Sequence, residues 1–401
     1  MNQLARRALE ELALGEPESM EAATSPSSTR TIAILHAVFA LTGVLHVVGG
    51  ALLPSISARF HLNDAHSGLL FLLYFAGTSI GALLCRKNYS RTMILGFGSM
   101  AVACVMVAVS PRAALEPVFF LLGITVGVPM SAVTLFTGRT FPEHCAAMLT
   151  FLNFSWSVGA LAAPLIAARI LVNHDYRAAY LLFGVAAACA AGACAIVLRD
   201  GPEPVHASLD PTSTTAFHLV LVFAIAAFLQ VGIENTVATW LPTYALRTEN
   251  SGLALAAASS SFYWAGFLSS RGVSSLLLIR VKPMRILRIL IAAGLISSLL
   301  LEFAPSVGLR NIAMFSLGAA LAPTYPLVLS GFFARTRNTA DSRWILFTAG
   351  FGGSVLPWIA GFVSTHTASI RTGMLTIPSG LLFIALLVPA LRGAHRKPVN
   401  V

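Results

Sequence analysis

The sequence predicts an all-α membrane protein with twelve transmembrane helices in two pseudo-symmetric six-helix bundles. Composition is the first observation behind this prediction, because 56% of the 401 residues are hydrophobic and only 10% are charged. Soluble domains carry about 25% charged residues, so the chain falls in the membrane class before any motif is considered. The number of apolar runs and an internal repeat are the other two observations.

Apolar runs long enough to cross a bilayer, about 20 residues each, can be counted along the chain. They are separated by short connections that contain turn residues or charges. The twelve predicted spans are residues 31–56, 67–84, 92–109, 115–138, 147–171, 177–198, 216–245, 251–279, 285–303, 310–333, 343–367 and 372–391.

The longest connection is rich in Pro, Asp and Ser, and it follows the sixth span. It predicts a linker between two six-helix halves. The first 30 residues are polar and lack the apolar core of a signal peptide. The predicted organisation is a disordered cytoplasmic tail (1–30), an N-terminal bundle (31–198), a cytoplasmic linker (199–215), a C-terminal bundle (216–391) and a cytoplasmic tail (392–401).

The chain has 26 Lys and Arg and a formal charge of +10. Nineteen of these 26 lie on the side of the two tails, and basic residues concentrate on the cytoplasmic side of membrane proteins. We therefore predict a multi-pass protein of the cell inner membrane with both termini cytoplasmic. Topology accounts for the charge, so no nucleic-acid partner is expected. The basic residues predicted on the other side are Arg59, Arg112, Arg169, Arg177, Arg247, Arg310 and Arg371.

The two halves repeat each other. The stretch A-L-L-P-S (51–55) in the first span matches T-W-L-P-T (239–243) in the seventh. Four further residues recur at offsets of 193 to 195, with Gly123, Pro129, Gly159 and Pro164 returning as Gly318, Pro323, Gly352 and Pro357. Two parallel repeats around an axis normal to the membrane place a solute site near the midplane, between the halves.

One acidic residue, Glu234, lies well inside a long apolar run, in G-I-E-N-T-V-A-T-W-L-P-T-Y-A (232–245). A charged side chain at the bilayer centre costs about 2.5–3.5 kcal/mol on insertion scales, so such residues are usually functional. Glu234 is therefore the first candidate for solute binding or proton coupling.

The twelve spans, the repeat and the central linker resemble the major facilitator superfamily. The signature between its second and third helices is similar to G-A-L-L-C-R-K-N-Y-S-R (81–91), with Cys85 in place of the acid and Asn88 in place of the second glycine. The seventh span, F-L-S-S-R-G-V-S-S-L-L-L-I-R (267–280), A-L-A-P-T-Y-P-L-V-L-S (320–330) and L-N-F-S-W-S-V-G-A (152–160) resemble the fucose–galactose–glucose:proton symporters and their glucose-transporter relatives.

The resemblance implies a secondary transporter that moves a monosaccharide by alternating access, without enzymatic activity. We expect a small-molecule substrate, protons as a second partner, and a monomer in the lipid bilayer. No nucleotide-binding loop and no metal-ligand cluster occurs, so no cofactor is expected. Efflux of drugs or metabolites, facilitation without ion coupling, and a membrane sensor remain alternatives.

Polar and aromatic side chains at midplane depth are the usual sugar contacts, because hydroxyls need hydrogen-bond partners and the apolar ring faces stack on aromatic rings. Ordinary interhelical hydrogen bonding and core packing are the competing interpretation. The predicted substrate-binding residues are Glu234, Asn235, Asn153, Trp156, Tyr263, Trp264 and Tyr325.

Proton coupling cannot be transferred from the sugar–proton symporters residue by residue. Gly50 stands where an Asp is implicated there, and Val126–Gly127 replaces an acidic residue of the fourth helix. Aligning Pro54 with Pro242 sets His46 opposite Glu234, and we consider both as coupling residues. Alternatively, Glu234 binds only substrate hydroxyls and His46 is a packed histidine.

The predicted gating residues are basic. Arg86 and Lys87 lie in the connection after the second span, where topology charges are the simpler interpretation. Arg271 lies inside the cytoplasmic end of the eighth span, where a gate contact is favoured over an anion-binding site.

Overall fold

The computed structural model describes residues 26–85, 88–141, 145–198, 217–277, 281–333 and 342–392. This part of the chain forms twelve helical segments in the predicted order. They are α1 (Pro26–Phe60), α2 (Asp64–Leu84), α3 (Tyr89–Val109), α4 (Leu115–Thr140), α5 (Cys145–Leu171), α6 (Tyr176–Val197), α7 (Phe217–Glu249), α8 (Leu253–Ser259 and Ser261–Leu277), α9 (Pro283–Phe303), α10 (Val307–Leu321 and Thr324–Phe333), α11 (Ser342–Thr367) and α12 (Ile370–Met374 and Thr376–Arg392).

Eleven of these segments are, in the described residues, long and apolar enough to cross a membrane. The twelfth is α8, whose two pieces meet at Ser260. The all-α prediction and the helix count are confirmed. α1 begins at Pro26, inside the stretch predicted as a tail, and proline suits a first helical position because its missing N–H has no intrahelical acceptor.

The predicted linker and the C-terminal tail lie almost wholly outside the described residues, as does most of the N-terminal tail. Twelve traverses place the start of α1 and the end of α12 on the same face of the bundle, which we call the terminal face. The α1–α2 and α7–α8 connections lie on the opposite face.

The repeat is visible in the packing of glycines against backbone carbonyls. In the first half, a Cβ on Gly123 would lie 2.0 Å from the Tyr74 oxygen, and one on Gly159 would lie 1.9 Å from the Ala40 oxygen. In the second half the equivalent pairs are Gly318 with Tyr263 and Gly352 with Phe228, both at 2.0 Å. Glycine is needed at all four positions because any side chain would separate the helices.

These pairs also fix the alignment of the first helix of each half. Ala40 and Phe228 are 188 positions apart, which is the offset of Pro54 and Pro242. His46 and Glu234 share that offset, so the packing supports their equivalence.

In the described residues the halves meet mainly along α1 with α7, α2 with α11 and α5 with α8, and the first piece of α8 also contacts α1. Gly50 lets α1 approach α7 so closely that a Cβ would lie 2.2 Å from the Ala238 oxygen. Gly68 likewise lets α2 approach Trp358 on α11. Side chains at the centre of these three pairs lie between the two bundles.

Candidate functional site

The candidate site is a cluster of polar and aromatic side chains between the halves. Glu234 lies near the middle of α7 and keeps part of its surface exposed. It interacts electrostatically with Arg271 and Tyr263 on α8 and with Tyr325 on α10. A carboxylate in an apolar span is thus within electrostatic range of a cation and two phenols.

Arg271 connects this cluster to the first half. Its Nη1 donates to Ser157 Oγ at 3.1 Å and to the Asn153 carbonyl at 3.4 Å, both on α5. Its guanidinium carbon lies 4.7 Å from the Phe267 ring centroid and 5.8 Å from that of Trp156, within cation–π range. Arg271 therefore joins α8 of the second half to α5 of the first, and its predicted gating role stays a prediction.

A chain of aromatic rings crosses the interface. The His46 ring on α1 lies 5.5 Å from Trp156 on α5, and Trp156 lies 5.9 Å from Trp264 on α8, centroid to centroid. Tyr263 follows Trp264 at 5.1 Å. All these pairs are edge-to-face, the geometry that aromatic side chains prefer, so the rings form one continuous packed row.

Three polar atoms in this row of aromatic side chains are buried without a hydrogen-bond partner: His46 Nδ1, Trp156 Nε1 and the Tyr263 hydroxyl oxygen. Trp156 and Tyr263 are 6% and 1% exposed. Buried polar groups are nearly always hydrogen-bonded, so three such atoms in one cluster indicate a place where a ligand or water completes the bonding.

The two candidate asparagines are placed differently from each other. Asn235 is buried, and its Nδ2 donates to the Gly353 carbonyl on α11 at 3.1 Å, while its side chain lies next to His46. Asn153 is exposed, and its Nδ2 donates to Leu149 of its own helix. The structure thus brings Asn235 to His46 and Arg271 to Glu234.

Gln230 is a site neighbour that the sequence analysis missed. It is fully buried one turn before Glu234, its Nε2 donates to the Leu321 carbonyl at 3.1 Å, and its Oε1 has no partner. Leu321 ends the first piece of α10, just before Tyr325 in the second. A polar residue four positions before Glu234 in an apolar run was the available signal. Arg86 and Lys87 lie outside the described residues.

The fold, twelve helical segments in two repeated halves, is the architecture typical of secondary transporters. Residues 32–341 match the profile of the Major Facilitator Superfamily, and the chain belongs to that family. It is a multi-pass membrane transporter and not an enzyme.

Two curated relatives span nearly the whole chain. The glucose/mannose transporter GlcP of Bacillus subtilis (strain 168) is 21% identical over 387 residues, covering 91% of this chain and 96% of that protein. The protein TsgA homolog of Yersinia enterocolitica is 23% identical over 380 residues, covering 90% and 95%.

Two solved structures share the fold. A bacterial homologue of the human lysosomal transporter Spinster, in an inward-facing and unoccupied conformation, has a TM-score of 0.71 at 16% identity, covering 92% of this chain and 98% of that one. A variant of the E. coli fucose:proton symporter FucP has a TM-score of 0.57 at 18% identity, covering 90% and 98%.

Proposed function

We propose that this protein takes up a monosaccharide by alternating access, with proton coupling through Glu234. The observation that carries the proposal is the set of three unpartnered polar atoms on His46, Trp156 and Tyr263, the last of which interacts electrostatically with Glu234. A sugar presents hydroxyls that both donate and accept, and its apolar ring faces pack on aromatic rings.

The charges at the site favour a neutral solute. Arg271 faces Glu234, so the pair compensates itself, and an anionic solute would compete with the carboxylate for the guanidinium. Names of relatives support the sugar class, since GlcP is a glucose/mannose transporter and FucP a fucose:proton symporter.

Coupling to protons is assigned to Glu234 because Gly50 leaves α1 without a carboxylate. A proton on Glu234 removes the charge that Arg271 faces, and Arg271 is also bonded to α5 of the other half. Protonation therefore changes how strongly Arg271 is attracted to Glu234 relative to α5. Coupling requires such a difference, because the proton must favour one conformation of the two halves over the other. His46 is the second proton candidate, reached through Asn235. We further propose a monomer in the cell inner membrane with both termini cytoplasmic.

The test is uptake of radiolabelled glucose, mannose, galactose and fucose into proteoliposomes, with and without an inward proton gradient. Gradient-stimulated uptake of one sugar is expected in the wild type. Glu234→Gln should abolish the stimulation and leave exchange of the sugar across the membrane.

Glu116→Gln is the control, because Glu116 lies in the first turn of α4 and pairs with Arg112 near the opposite face. It should retain stimulation. Uptake that ignores the gradient in the wild type would identify a facilitator, and absence of uptake of all four sugars would contradict the sugar proposal.

A further inference from the structure

A polar joint connects the two halves at the opposite face. Asp64 opens α2, and both its carboxylate oxygens accept from Arg247 at the end of α7, at 2.6 and 2.7 Å. Ser364 Oγ on α11 donates to Asp64 Oδ2 at 2.5 Å, and the Ala65 amide donates to Thr365 Oγ1 at 2.8 Å. One carboxylate of the first half therefore binds two helices of the second.

The carboxylate side of the joint is shielded from solvent, since the Asp64 side chain is 9% exposed, whereas the Arg247 side chain is 44% exposed. Bidentate pairs of this kind are stronger than single contacts. Among the described residues, two further ion pairs near this face, Arg112–Glu116 and Arg310–Glu249, each lie within one half. Neither of them can resist separation of the halves.

Close backbone packing surrounds the joint. A Cβ on Gly361 would lie 2.3 Å from the Asp64 carbonyl oxygen and 2.6 Å from the Trp240 ring. Trp240 itself donates from Nε1 to the Pro357 carbonyl of α11 at 2.8 Å. The ends of α2, α7 and α11 thus form one tightly packed seal over the centre of the molecule.

Two threonines behind this seal have unsatisfied hydroxyls. Thr239 and Thr243 lie one turn apart on α7, and both Oγ1 atoms are buried without a partner. Thr239 lies against α1, since a Cβ on Gly50 would come within 3.1 Å of its Cα. Asn235 precedes them by one turn and Arg247 follows by one, so polar residues at four-residue spacing lead from the candidate site to the joint.

We propose that Asp64 is the latch of the opposite face, and that Thr239 and Thr243 line the solute path that its release uncovers. Opening this face separates α2 and α1 from α11 and α7, which breaks every bond of the joint. It also hydrates the two hydroxyls, which are unsatisfied only while the face is closed. This inference concerns the path of the solute and holds whichever solute is transported.

The test measures how fast a cysteine at position 243 reacts. Thr243→Cys is placed in a variant whose five native cysteines are replaced by Ser, and labelling by a membrane-impermeant maleimide is followed in proteoliposomes. Asp64→Asn should raise the labelling rate roughly tenfold, since loss of the latch shifts a two-state equilibrium toward the open state. The charge exchange Asp64→Arg with Arg247→Asp should bring the rate back toward that of the parent, and Glu116→Gln should leave it unchanged.

A second cysteine distinguishes opening from general loosening. Asn153 is exposed and lies about two turns from the end of α5 that begins at the terminal face. In the Asp64→Asn background, labelling of Asn153→Cys by a permeant maleimide should fall while that of Thr243→Cys rises, because the two faces open alternately.

If both positions react faster, the substitution merely loosens the protein and the latch is refuted. An unchanged rate at Thr243→Cys also refutes it. Should Asp64→Asn fail to fold, Ser364→Ala removes a single bond of the joint and should shift both rates in the same directions by a smaller factor.

Discussion

Tyr74 on α2 and Tyr263 on α8 occupy equivalent positions in the two halves, yet their hydroxyls have opposite fates. Tyr74 donates to the Leu45 carbonyl at 3.0 Å, and its ring lies 6.2 Å from His46. Tyr263 has no hydrogen-bond partner and faces Glu234, the counterpart of His46. The same backbone arrangement therefore gives the tyrosine hydroxyl a hydrogen-bond partner in the first half and leaves it without one in the second.

The difference extends to charge. Arg271 has Ala82 as its counterpart, so the first half has no cation at this depth of α2. The first half supplies mainly rings and a packed frame, whereas the second supplies the charges and the free hydroxyl. We infer that the polar contacts with the solute are concentrated on α7 and α8. Substitutions at equivalent positions of the two halves should therefore differ in their effects.

The largest effect is expected at Glu234 and His46, which occupy equivalent positions on the first helix of each half. Glu234→Gln should lower gradient-driven uptake about 100-fold, equivalent to roughly 2.7 kcal/mol. His46→Gln should lower it only a few-fold, because His46 faces aromatic rings and an amide, with no charge among these contacts. Initial uptake rates in proteoliposomes measure both, and equal losses would overturn the assignment of coupling to the second half.

Glycine packing should respond equally in both halves. Gly159→Ala and Gly352→Ala each force a methyl against a backbone oxygen, at 1.9 and 2.0 Å, and should destabilise the fold by about 1–3 kcal/mol. Gly98→Ala is the control, since nothing lies within 4 Å of its added methyl. Denaturant melts in detergent measure the losses. A loss confined to one half would show that the repeat in packing is only apparent.

The tyrosine pair should separate binding from stability. Tyr263→Phe removes a hydroxyl available to the solute and should weaken binding by about 0.5–1.5 kcal/mol, or roughly 2- to 12-fold in Kd. Tyr74→Phe should leave Kd unchanged and lower stability by a similar amount, since its hydroxyl serves α1. Calorimetric titration measures Kd and thermal melts measure stability for both variants. A weaker Kd in Tyr74→Phe with an unchanged Kd in Tyr263→Phe would contradict the assignment.

The smallest effect is expected at Gln230, one helical turn before Glu234 on α7. Gln230→Leu removes a bond to α10 and should cost about 1 kcal/mol of stability, with a modest rise in Kd through Tyr325. Thr42, at the equivalent position of α1, bonds only its own helix, so Thr42→Val should change Kd less. Thermal melts and titrations compare the two, and a larger binding loss in Thr42→Val would argue against a role for Gln230.

Much of the fold could be predicted because helix length and polarity dominate in a bilayer. The spans, the repeated Gly and Pro positions and the isolated Glu234 were all readable from the chain. The eighth span is predicted as one run over residues 251–279, whereas α8 is interrupted at Ser260, a break that the apolar pattern does not reveal. Gln230 was overlooked because a single amide in an apolar run gives no sign of its partner.

By itself, the sequence determined the number of helices, their repeat and the residues too polar to face lipid. Only the tertiary structure decided how those residues pair: Arg271 with α5, Asn235 with Gly353, and Asp64 with Arg247 and Ser364. The physical reason is that lipid and protein core are both apolar, so hydrophobic periodicity does not reveal which face of a membrane helix points inward. Glu234 stood out in the sequence because it is charged, but its neighbours became known only from the packing of the two halves.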